Sequence, residues 1–130
     1  MRAVDTNVLV RLVTGDDIKQ AVAAEKFVST GAWVSHLVLA ETIWVLAAVY
    51  DRDAKALAQT IDLLLKHRDL TIQDAEVVAM ALAHFRIRPS LGFSDCLVLE
   101  IARKAGHVPM GTFDRSLAKL EGAERIAFAV

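Results

Sequence analysis

Cysteine is nearly missing from this chain: Cys96 is the only one among 130 residues. A lone cysteine excludes an intramolecular disulfide framework and a cysteine-based zinc site, and a reducing, cytoplasmic location is the simplest expectation. Only 2 Pro and 6 Gly are present, which argues against a loop-rich or low-complexity chain. No excess of charge of one sign exists: 15 Lys+Arg stand against 16 Asp+Glu, for a net charge of −1. That excludes nucleic-acid binding through net charge, though not through a local basic patch. The longest unbroken apolar run, Ile43 to Tyr50, falls far short of the roughly 18–20 residues that span a bilayer. The opening Met-Arg-Ala-Val-Asp-Thr-Asn, with an acid at position 5, does not read as a signal peptide. A Gly-rich phosphate loop is absent as well.

What is abundant is apolar: 55% of residues are hydrophobic, and the mean hydropathy is +0.39. Intrinsic disorder is incompatible with that balance. The length fits one domain, residues 1–130. A domain this small cannot hide all of its apolar surface, so part of the surplus is expected to face a partner, as an oligomer or a bound protein ligand.

Short β-like runs alternate with longer helical ones, which predicts an α/β fold. Arg2 to Val4 reads as a strand ending at Asp5. Asn7 to Val13 either continues it or turns into a short helix. Asp16 or Asp17 caps a helix through about Ser29, and Ala32 to Ser35 is a second strand. Leu37 to Tyr50 is apolar nearly all round, with Glu41 its only charge, and reads as a buried helix. Asp53 to His67 is amphipathic, Leu70 to Ile72 a brief strand, and Asp74 to Arg86 a helix. Pro89 and Gly92 mark a loop; Ser94 to Ala105 is a helix closed by Gly106. Val108 to Phe113 is a strand reaching Asp114, Arg115 to Lys119 a helical turn, and Ile126 to Ala129 a final strand.

Four carboxylates stand out by position. Asp5 and Asp114 each follow a strand, Asp95 opens a helix after a Gly-containing loop, and Glu41 lies in an apolar helix. Ligands of open parallel sheets bind at the carboxyl ends of the strands, where Asp5 and Asp114 would project. Taken singly, Asp5 and Asp114 also suit helix caps and Asp95 a helix dipole. Glu41, if buried, needs a partner such as an Arg. Taken together, converging acids would repel one another, and a divalent cation would remove that conflict. All-oxygen ligands suit Mg²⁺ or Mn²⁺, able to activate water at a phosphodiester. His36, His67, His84 and His107 lack metal-ligand spacing, and Cys96 has no evident His base, so a buried thiol is expected there. Trp33, Trp44 and Tyr50 are expected in the core or an interface.

Val4-Asp5-Thr6-Asn7-Val8-Leu9-Val10-Arg11 resembles the opening of PIN-domain ribonucleases. Ala40-Glu41 resembles their second acidic motif. Phe93-Ser94-Asp95-Cys96-Leu97, followed by Ala102-Arg103-Lys104-Ala105-Gly106, resembles the third, and Thr112-Phe113-Asp114-Arg115 with Leu117 the fourth. Ser94 stands where such sequences often carry Ala. The length and the Thr-Phe-Asp-Arg segment are most similar to VapC-type toxins of toxin–antitoxin pairs. The resemblance implies a single α/β/α sandwich on a mostly parallel central sheet and Mg²⁺- or Mn²⁺-dependent endoribonuclease activity. It implies metal ligation by Asp5, Glu41 and Asp95, with Asp114 completing the acidic site and Thr112 helping to order it. Thr6 and Asn7 would shape the loop beside Asp5. It further implies a homodimer and a cognate antitoxin, docked by an amphipathic helix on apolar side chains between Trp33 and Leu65. RNA phosphates would meet Arg11 and Arg115 first, and Arg86, Arg88, Arg103, Lys104 or Lys119 after them. The alternative is a catalytically silent PIN-like module that binds RNA or protein.

Overall fold

Asp5 sets the direction of the chain beyond the first strand. Its side chain accepts a hydrogen bond from the Val8 amide at 3.1 Å, so the backbone turns into a helix rather than extending the strand. The structure, a computed structural model, describes residues 1–129. β1 (Arg2–Ala3) leads into α1 (Thr6–Thr14), which Gly15 ends in the left-handed conformation at φ +62°. Asp17 caps α2 (Ile18–Val28), Ser35 caps α3 (His36–Ala48) after β2 (Ala32–Val34), and Asp53 caps α4 (Ala54–Lys66). β3 (Leu70–Ile72), α5 (Ala75–Ile87), α6 (Phe93–Ala105), β4 (Met110–Thr112) and β5 (Ala123–Arg125) complete the order, with 3-10 turns at Pro89–Leu91 and Leu117–Lys119.

The chain forms two compact units, residues 1–75 and 76–130. In the first, β1, β2 and β3 make a parallel ladder in that order, with Ala32 beside Arg2 and Leu70. Its core includes Leu9, Val34, Leu39, Leu46 and Ile61, all buried. In the second, β4 and β5 pair in parallel, Thr112 beside Arg125. Leu99 and Val78 are buried there, and Phe85 meets Phe93 edge-to-face at 6.2 Å between ring centres. Helices alternating with short, wholly parallel strands constitute the expected α/β class, consistent with an α/β/α arrangement.

Two expectations are corrected. The last strand is Ala123–Arg125 and not Ile126–Ala129, because the turn at Gly122 brings the chain into register with β4 earlier; Ile126 adds one more bond, its amide donating to the Thr112 carbonyl at 2.8 Å. And α3 is not buried all round: Leu39, Thr42, Ile43 and Leu46 point inward, whereas Leu37, Glu41, Trp44 and Ala48 form an exposed stripe at helical spacing. Trp44 is therefore no core residue. Tyr50 is half-buried and bonded to Arg11 and Asp16. No helix among the described residues is long and apolar enough to cross a membrane.

Candidate active site

In the first unit, Asp5 stands at the carboxyl end of β1, and among the described residues only its Oδ1 is engaged, by the Val8 amide. Thr6 and Asn7, expected to shape a loop, are instead the first residues of α1. Asp5, Asn7 and Arg11 share the lining of a pocket of about 360 Å³ with Val8, Gln20 and Phe27. Arg11 is already occupied. Its guanidinium donates to Gln20 at 2.7 Å, Asp16 at 3.0 Å and the Tyr50 hydroxyl at 3.2 Å. Tyr50 in turn donates to Asp16 at 2.5 Å, and Thr14 donates at 2.8 Å. Those donors, Tyr50 foremost and then Thr14, bring the Asp16 carboxyl down to about 2. The same corner raises the pKa of Arg11, chiefly through its bond to Tyr50.

Glu41 sits on the exposed stripe of α3, so the expectation of a buried carboxylate in need of an Arg is corrected. Among the described residues the buried acid is Glu100 on α6, only 3% exposed. It accepts from Arg103 Nε at 2.8 Å and lies 3.2 Å from His84 Nε2. The clue was available in the sequence: Glu100 continues the inward stripe of Phe93, Cys96 and Leu97.

In the second unit, α6 begins at Gly92, which has φ +79° and no capping side chain. Asp95 occupies the first turn, where the helix dipole favours a carboxylate. Its pKa is nonetheless raised, first by burial and then by the negative charge of Asp114. No side-chain hydrogen bond satisfies Asp95 among the described residues. Asp114 follows β4, and its Oδ1 accepts from the amides of Ser116 at 2.8 Å and Leu117 at 2.9 Å. The Thr112 hydroxyl accepts from the Asp114 amide at 3.0 Å and braces the turn that carries the acid. Arg115 is exposed beside it. Asp95 and Asp114 are thus brought within electrostatic reach of each other, while Asp5 and Glu41 belong to the other unit.

Among the described residues, neither unit alone gathers three His, Cys, Asp or Glu side chains into a cation-binding group. The histidines serve other ends. His84 faces Glu100, His67 Nδ1 accepts from the Asp69 amide at 3.0 Å, and His36 Nε2 is buried without a partner. Cys96 is buried as expected, its thiol pushed up to about 11 by burial and then by Asp95. Arg103 and Lys104, expected as RNA contacts, are held by Glu100 and Glu76. Sequence reasoning missed an exposed aromatic pair beside Asp114: Phe113 and Phe128 meet at 5.7 Å between ring centres, with planes at 78°.

The model of the PIN domain matches residues 2–123, and the chain belongs to that family. Members are generally nucleases that use divalent metal ions, and the family implies RNA binding. The match runs through both units and spans all four acidic positions. No curated protein shows significant similarity to the chain.

Proposed function

We propose that the protein is a Mg²⁺- or Mn²⁺-dependent endoribonuclease, the toxin of a VapBC-type pair, whose cation is held by Asp5, Glu41, Asp95 and Asp114. The observation that carries this reading is the Asp95–Asp114 pair, two acids whose charges oppose each other with no cation or donor at Asp95 among the described residues. An all-carboxylate donor set fits a hard divalent cation. When bound, that cation supplies activation of water and stabilisation of charge on the phosphodiester. The chain's own residues position it. Val8, Ser116 and Leu117 amides each occupy one carboxylate oxygen of Asp5 or Asp114, which fixes rotamers and leaves the other oxygen open. Thr112 locks the backbone of Asp114. Arg115 is the cation best placed to meet a substrate phosphate. Arg11 would first have to leave Asp16 and Tyr50.

The exposed stripe of Leu37 and Trp44, 69% and 66% exposed, supports an apolar partner surface on α3. We assign it to self-association as a homodimer or to an antitoxin helix. The test is sequencing of RNA 5′ ends after induced expression. Wild type is expected to generate discrete new ends and to arrest growth, and Asp95→Asn to generate none. Co-expression of a neighbouring antitoxin gene is expected to restore growth. Identical end profiles for wild type and Asp95→Asn would remove the nuclease assignment.

A further inference from the structure

We propose that Phe113 and Phe128 form a stacking ledge for an unpaired nucleobase of the RNA, next to the phosphate that Asp114 addresses. The proposal rests on the ribonuclease reading and adds to it the two side chains that would hold a turned-out base beside Asp114.

Four observations support it. First, Phe113 immediately precedes Asp114, and the Asp114 turn is pinned by Thr112, Ser116 and Leu117, so the backbone that carries the ring is fixed next to the acid. Second, the two rings are 62% and 64% exposed although apolar, and they touch edge to face, a contact that covers at most one of the four ring faces. Third, both rings are phenyl. Neither carries the polar handle that a solvent-facing Tyr or Trp would have, so water is a poor partner and a π-face is a good one. Fourth, an exposed cation, Arg115, directly follows Asp114 and makes no ion pair among the described residues.

An aromatic platform and an uncommitted arginine on one turn is the combination that holds single strands, with the base on the ring and the phosphate on the cation. A duplex keeps its bases stacked inside and offers no free π-face, so the ledge selects against paired RNA.

The test measures fluorescence anisotropy of a labelled, short, mixed-sequence single-stranded oligoribonucleotide and of the corresponding blunt duplex, with chelator and with Mn²⁺. Wild type is expected to bind the single strand more tightly than the duplex. Phe128→Leu and Phe113→Leu, which keep apolar bulk and lose the π-face, are expected to weaken single-strand binding roughly tenfold. Phe128→Tyr should stay near wild type. An oligonucleotide with one base removed should bind wild type less tightly than the intact strand, a comparison that needs no variant to fold. Leucine variants that bind and cleave like wild type would overturn the ledge and leave the nuclease. Leucine variants that lose only self-association or a protein complex would overturn it in favour of a protein contact. A wild type that neither binds nor cleaves any RNA would overturn both readings, whereas binding without cleavage would remove only the nuclease.

Discussion

Two acids on one helix are treated in opposite ways. Glu100, deep in α6, is almost fully buried and has an arginine and a histidine turned toward it. Asp95, at the start of the same helix, is partly desolvated, faces a second carboxylate and receives no donor among the described residues. The first is an acid the protein satisfies for itself. The second is left without a counter-group among the described residues. The exposed corner of the first unit repeats the first pattern with different residues, where Tyr50, Thr14 and Arg11 all serve Asp16. The useful signal for a site is therefore not burial or exposure of a carboxylate but whether the chain has provided its counter-group.

The sharpest way to break the comparison is to remove the satisfied acid. Glu100→Ala leaves Arg103 and His84 facing a cavity, and is expected to cost about 2–3 kcal/mol, toward the low end for a buried pair because Arg103 is a third exposed and keeps its bond to the Glu121 carbonyl. Urea denaturation of the purified variant measures it. Asp95→Asn should do the reverse. Because the folded pKa of Asp95 is raised, its ionised form destabilises the fold at neutral pH. With chelator present the amide is expected to melt at the wild-type temperature or up to a few degrees higher. The rise that Mn²⁺ gives wild type should shrink or vanish, since a cation stabilises only as far as it binds the native state. A fall in melting temperature with an unchanged Mn²⁺ response would return Asp95 to the status of an ordinary helix-start acid.

The smallest effect belongs to Asp16. Its folded pKa of about 2 lies below the ordinary value of 3.8, so its contribution to stability is complete above that ordinary value and is lost as pH falls toward 2. Tyr50→Phe removes the largest cause of that depression. The acid limb of the stability curve should then become shallower, the variant being less stable than wild type above the ordinary carboxylate pKa and converging with it as pH falls toward 2. Melts across pH 2–5 compare the two proteins.

Much of this was legible in the sequence because local chemistry set it. Asp17 and Asp53 start helices by capping, and Gly106 ends α6 at φ +84°. Asp5, Asp95 and Asp114 could be placed from strand ends and helix starts alone. The illegible part depended on pairing at long range. Whether Asn7–Val13 was strand or helix turned on one capping bond. The register of β5 depended on where β4 lay. Glu41 and Glu100 both sit in apolar helices, and only packing decides which of the two faces inward. The Phe113–Phe128 pair joins residues whose segments carry no shared pattern, and nothing in either one announces the other.

Gly122 carries a consequence of its own. It holds φ +91°, and a Cβ there would stand 3.0 Å from both terminal nitrogens of Arg103, the guanidinium that reaches back to Glu100. Turns are ordinarily where a lineage drifts most freely. Here drift is constrained first by backbone handedness, which favours glycine, and then by a guanidinium committed to a buried carboxylate, which would have to shift to admit a Cβ. A change in this surface turn would therefore be felt at an interior charge.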